Sequence, residues 1–103
     1  MNTVNRQDFV FLPIFYFMKP WEESLREKLD QHYSWPSLYT FKFIVPTDKV
    51  NEVKRLFTKH ETTEKISEKG NYTSITIHMM MPGSDAVIEV YQAVSGIEGI
   101  IAL

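Results

Sequence analysis

Ser74 and His78 are the residues whose types most invite chemistry, because a histidine beside a serine hydroxyl is the smallest base and nucleophile pair. Both fall in the alternating run from Tyr72 to Met81, on the same side of a strand. Four residues of strand span about 13 Å, so the two cannot reach each other as a dyad. His32, His60 and His78 stand far apart, and none has a second ligand at metal spacing. Cysteine is absent, which removes thiolate ligands, a thiol nucleophile and any disulfide framework. Glu22 and Glu23 read as helix-surface residues, not as a catalytic carboxylate pair. The chain holds neither Gly-x-x-x-x-Gly-Lys nor Gly-x-Gly-x-x-Gly. Gly96-Ile97-Glu98-Gly99 has the Gly-x-x-Gly spacing of a KH loop, but it carries an acid and lies between a helix and a strand. The expectation is a protein without catalytic residues, metal or cofactor.

The chain of 103 residues fits one domain, and an apolar share of 44% suffices for one modest core. Eleven basic and 13 acidic residues leave a net charge of −2. Signs alternate through Glu22, Glu23, Arg26, Glu27, Lys28 and Asp30, as on a solvated helix. No basic patch forms in sequence, which counts against nucleic acid as a partner.

Residues 9 to 17 (Phe-Val-Phe-Leu-Pro-Ile-Phe-Tyr-Phe) are strongly apolar. A membrane helix needs about 20 such residues, and Pro13 interrupts the run. A secretory leader needs a positive start and a small-residue cleavage site; here Asp8 offsets Arg6 and no such site follows. Residues 1–18 are therefore read as an apolar extension, either an added strand or packing arm or, with Met18 as the native start, an upstream mis-start of residues 1–17. Intact mass of the host protein tests the mis-start, and finding Met1 would refute it. The domain is placed at 19–103, in the cytoplasm, where a cysteine-free chain is at home.

Pro20 suits the first turn of a helix over 20–33, with Trp21, Leu25 and Leu29 as its apolar stripe. Leu38 to Val45 alternates as a first strand, with Tyr39, Phe41, Phe43 and Val45 inward. Thr47 or Asp48 is read as the cap of a second helix that buries Val50, Val53, Leu56 and Phe57. Residues 61–68 make a weak, polar edge strand. Gly70-Asn71 is read as a two-residue type II′ hairpin loop, leading into a third strand over Tyr72 to Met81. Ser84 is expected to cap a third helix carrying Val87, Val90, Tyr91 and Val94. Gly96 is expected to end it in the left-handed conformation, and Ile97 to Leu103 to form the last strand. The order gives an α+β, ferredoxin-like βαββαβ two-layer sandwich with an additional N-terminal helix.

Ser67-Glu68-Lys69-Gly70-Asn71-Tyr72-Thr73-Ser74, followed by Ile75 and Ile77, resembles the YbeD-like family of uncharacterised bacterial proteins. So does the stretch from Leu25 through Trp35-Pro36 to Val45, and the resemblance extends over roughly Trp21 to Leu103. It implies a ferredoxin-like fold related to the ACT regulatory domains, and it brings no activity. The expected function is a non-catalytic regulatory or interaction domain that binds a metabolite or a protein partner, with a homodimer as one form. The alternative is an RNA-binding module: the RRM domain shares the element order, and Lys69-Gly70-x-Tyr72 is similar to its third-strand signature.

Either reading uses the sheet face that the helices leave open. That face presents Leu38, Thr40, Lys42 and Ile44 from one strand and Tyr72, Ser74, Thr76, His78 and Met80 from another. Lys42, Tyr72, Ser74, Thr76, His78 and Met80 are the candidate partner or ligand residues. Lys69, Gly70, Asn71 and Tyr72 form the hairpin element, for which turn geometry is sufficient reason. The N-terminal helix, through Trp21 and Leu25, or the arm at 9–17 is the competing cover for the face.

Overall fold

The computed structural model describes residues 21–103. Helix α1 (Trp21–His32) begins with Glu22 and Glu23, which suit the positive end of its dipole. Leu25 and Leu29, one turn apart, are its buried residues. Strand β1 (Ser37–Pro46) follows, then a 3-10 turn (Thr47–Lys49) that runs into α2 (Val50–Leu56). The remainder is β2 (Thr62–Ile66), β3 (Tyr72–Met81), α3 (Ser84–Val94) and β4 (Ile101–Ala102). The sheet order is β2-β3-β1-β4, antiparallel throughout. This is the ferredoxin-like α+β sandwich, with β2 and β4 at the edges and α1 added in front.

Alternation drives the layering. Phe41, Phe43 and Val45 of β1 and Thr73, Ile75 and Ile77 of β3 bury completely or nearly so, while their neighbours face outward. Val53, Phe57, Val87, Ile88 and Val94 close the core from the helix side. The Phe41 and Phe43 rings stack at 6.1 Å, and Tyr91 meets them edge-on at 5.4 and 6.3 Å. Helix α1 joins this same layer: Leu25 and Leu29 belong to the core cluster, and Arg26 Nε donates to Asp85 Oδ1 of α3 at 2.7 Å. The described part of the N-terminal helix therefore covers the helix side and leaves the other sheet face bare. The arm at 9–17 and the proposed start at Met18 lie outside the described residues.

Several local expectations are corrected. The hairpin between β2 and β3 pairs Ile66 with Thr73, so its loop is longer than Gly70-Asn71. Gly70 N–H donates to Ser67 O at 2.9 Å, closing a turn, and Gly70 then takes φ +80. Neither Thr47 nor Asp48 caps α2, whose N-cap is Lys49 with no side-chain hydrogen bond; Thr47 is held elsewhere. Its hydroxyl donates to Gly70 O at 2.8 Å and lies 2.9 Å from the Thr73 hydroxyl. Gly83, not Ser84, is the N-cap of α3, and no side chain caps that end. Gly96 is not left-handed; Gly99 is, with φ +80. Leu56, at 48% exposure, points away from the core that Phe57 enters. The last strand is shortest of all against expectation: Ile97 and Ile100 N–H donate within local turns, leaving Ile101 and Ala102 to pair with β1.

The Tyr39 and Tyr91 hydroxyls share a hydrogen bond of 2.8 Å between the sheet and α3. Burial holds both phenols above the ordinary value of 10.0. Ionising such a group favours the unfolded chain, so the stability it contributes is complete below about pH 10 and is lost as the pH rises beyond it. Melting temperature is expected to fall above about pH 10, and Tyr39→Phe with Tyr91→Phe to flatten that fall. A slope unchanged in the double variant would show that other groups control the alkaline transition.

Candidate functional site

The face that no described helix covers is a ladder of five cross-strand pairs from β1 and β3. Leu38 stands opposite Met80, Thr40 opposite His78, Lys42 opposite Thr76, Ile44 opposite Ser74, and Pro46 opposite Tyr72. All six candidate residues thus lie on one surface, Tyr72 at its far end beside the hairpin. The period of two places them there, because the alternate residues are the ones the core takes. Thr63 and Lys65 of β2 extend the face opposite Thr76 and Ser74, and Ile101 of β4 extends it opposite Ile44. These flanking residues were not among the candidates, although the alternation of residues 61–68 marks Thr63 and Lys65.

The chemistry of the surface is graded. At one end Leu38 and Met80 form an apolar pair, 58% and 65% exposed. In the middle the Thr40 hydroxyl and His78 Nδ1 lie 2.8 Å apart. That bond commits His78 to Thr40 and not to Ser74, whose hydroxyl donates weakly to Lys65 O at 3.5 Å. Lys42 and Lys65 add two positive charges, and no carboxylate occupies a paired position of this face. Glu64 instead lies on the other side of β2, where Lys54 of α2 holds it at 3.0 Å. The surface can therefore offer apolar contact, neutral hydrogen bonds and a cationic rim. The serine and histidine of this face are each bonded elsewhere, His78 to Thr40 and Ser74 to Lys65 O.

Lys69-Gly70-Asn71-Tyr72 proves to be a joint. Asn71 O accepts from Thr47 N–H at 3.0 Å and Gly70 O from the Thr47 hydroxyl, while Tyr72 N–H donates to Ser67 Oγ at 3.1 Å. The element ties the hairpin to the crossover leaving β1, which accounts for a glycine with φ +80 there. Among the described residues no cluster of three or more His, Asp or Glu is placed to hold a metal ion. No described helix is long and apolar enough to cross a membrane.

No curated protein and no solved structure matches the chain. A family model described as "Protein of unknown function (DUF493)" matches residues 30–103, beginning inside α1 and taking in all four strands with α2 and α3. The chain belongs to this DUF493 family of proteins of unknown function.

Proposed function

We propose that the chain is a non-catalytic interaction domain of the cytoplasm, ACT-like in build, which takes a protein partner on the open face of its sheet. The observation that carries this is the Leu38–Met80 pair, two large apolar side chains exposed side by side with no described helix over them. Methionine in such a patch adapts to varied surfaces. A YbeD-like, regulatory role is the finer form of the reading, supported by the element order and the hairpin motif. A metabolite in the turn after β1 is less favoured, since the N–H and hydroxyl of Thr47 are already committed to the hairpin.

Capture from a lysate of the native host, with wild type beside Met80→Glu, tests the reading. Met80 is exposed, so the substitution is expected to change folding stability by no more than about 0.5 kcal/mol while releasing the partner. Equal capture by both would refute the face as the binding surface. A thermal-shift screen separates the metabolite form: a ligand at a hundred times its Kd adds about 2.7 kcal/mol, several degrees in a domain of this size.

Lys42, Lys65 and Tyr72 on one face are what favour the second reading, an RNA-binding module. Against it, the β1 aromatics that would stack bases, Phe41 and Phe43, are inside the core. Retention of single-stranded RNA that weakens steeply with salt would bring this reading forward; no retention at low salt would remove it.

A further inference from the structure

Met79, Met80 and Met81 stand in a row in β3, and the pleat of the strand divides them. Met81 turns into the core, and Met79 packs against that core part-buried. Met80 points the other way, beside Leu38 of β1. Exposure of 65% at Met80 against 4% at Met81 separates two neighbours of the same chemistry. The chain has no cysteine, so thioethers are the whole of its sulfur chemistry. Oxidation of such sulfurs follows access. An oxygen added at Met81 must enter a close-packed interior, whereas at Met80 it enters solvent. The fold therefore selects one thioether of the three, and it is the one that forms the apolar pair with Leu38.

We propose that Met80 is a reversible oxidation site, at which a hydroperoxide converts the thioether to the sulfoxide and so turns the Leu38–Met80 pair from apolar to polar. In the step a lone pair of the sulfur attacks the outer oxygen of the peroxide, the O–O bond breaks and an S–O bond forms. Sulfur gives up two electrons and the peroxide takes them. The proton of the transferred oxygen passes to the departing one, which leaves as water or an alcohol. The sulfoxide is a dipolar hydrogen-bond acceptor. In solvent it keeps its water, but under the apolar side chain of a partner it would lose that water without replacement, which opposes docking. Because the side chain points away from the core, the change alters the surface and leaves the interior packing as it was. Methionine sulfoxide reductases, one for each epimer of the product, restore the thioether. This inference rests on the interaction-domain reading for what the oxidation controls, and it adds a regulation of the same face.

The test treats the full chain with hydrogen peroxide and follows each methionine by mass spectrometry. Trypsin releases residues 70–103 as one fragment, since no lysine or arginine follows Lys69, and fragment ions tell the three methionines apart. Met80 is expected to oxidise at least about tenfold faster than Met81 in the folded chain, and both at one rate in urea. Retention on a phenyl column reads the apolar patch without any partner. The Met80 sulfoxide is expected to elute earlier, and the two reductases together to return it to its first position. Met80→Leu keeps the position apolar, removes its sulfur and retains the other methionines of the chain. It is expected to elute as wild type does and to shift less than wild type after peroxide. Oxidation of Met80 is expected to move the melting temperature by no more than about 4 °C, as for other changes at an exposed position.

Met80 oxidising no faster than Met81 in the folded chain overturns the site. A column shift as large in Met80→Leu as in wild type overturns the change of surface, and a sulfoxide that the reductases leave in place on the folded chain overturns the reversal. The two readings fail separately once a host protein is captured. Release by Met80→Glu but not by peroxide refutes the oxidation control and leaves the interaction reading standing. Capture indifferent to Met80→Glu refutes the interaction reading and, with it, the control that oxidation was to exert.

Discussion

Phe43→Ala is expected to cost about 3–5 kcal/mol. Phe43 is completely buried at the centre of the sheet. Its ring stacks on Phe41 at 6.1 Å and on Phe57 at 6.2 Å, and Tyr91 meets it edge-on. Truncation forfeits the transfer free energy of the ring and leaves a cavity among side chains from β1, α2 and α3, which cannot all collapse into it. Domains of this size have about 5–15 kcal/mol in hand, so the variant stands near the threshold of folding at 37 °C. A melting temperature lower by about 15–30 °C is the expected reading by circular dichroism. Leu38→Ala, five residues earlier on the opposite face, is the comparison and is expected to stay within about 0.5 kcal/mol of wild type. Similar losses at both positions would mean that the two faces of the sheet are not wet and dry as described.

Gly99→Ala is expected to cost about 2–5 kcal/mol, and Gly70→Ala only about 1–2 kcal/mol. Both glycines hold φ +80, a conformation that a Cβ disfavours through its clash with the backbone. At Gly70 that is the whole penalty, since an added Cβ meets nothing within 4 Å. At Gly99 the Cβ would fall 2.7 Å from Pro46 Cγ and 3.0 Å from its Cδ. Pro46 ends β1 and its ring cannot rotate away, so the tail carrying β4 must shift instead. Urea unfolding of the two variants separates backbone cost from contact cost. Pro46→Ala combined with Gly99→Ala is expected to recover the contact part and to leave a loss like that of Gly70→Ala. If Gly99→Ala and Gly70→Ala prove equal, the approach to Pro46 carries no energy.

The contrast between these glycines shows where the sequence stops being readable. Tyr39 to Val45 and Thr73 to Met81 announce themselves because one side of each strand is dry and the other wet, so the period of two survives into the residue types. The stripe Val87, Val90, Tyr91 and Val94 does the same for α3, with Ile88 joining it. Six candidate residues on one face followed from that period alone. The chain ends of each element did not. Gly96 follows a helix as a capping glycine should, and only the approach of Pro46 singles out Gly99. Thr47 has the chemistry of a cap, but its hydroxyl turns to Gly70 and Thr73, partners 23 and 26 residues away. Ile97 to Leu103 is apolar enough for a strand, yet Ile97, at 8% exposure, is buried through a turn. β4 shrinks accordingly to Ile101 and Ala102, which pair with Ile44 and Phe43 of β1.

The long antiparallel pairing of β1 with β3 has a consequence during synthesis. Ser37 waits for Met81, about 44 residues downstream, before its end of the ladder can close. At about 5–20 residues per second that interval lasts roughly 2–9 s, during which Tyr39, Phe41, Phe43, Ile44 and Val45 have neither β3 nor α3 to cover them. An aromatic, β-prone segment waiting in that state can pair with others of its kind. Lys42, the one charge set among those residues, then acts as a gatekeeper on the nascent chain as well as a charge on the finished surface.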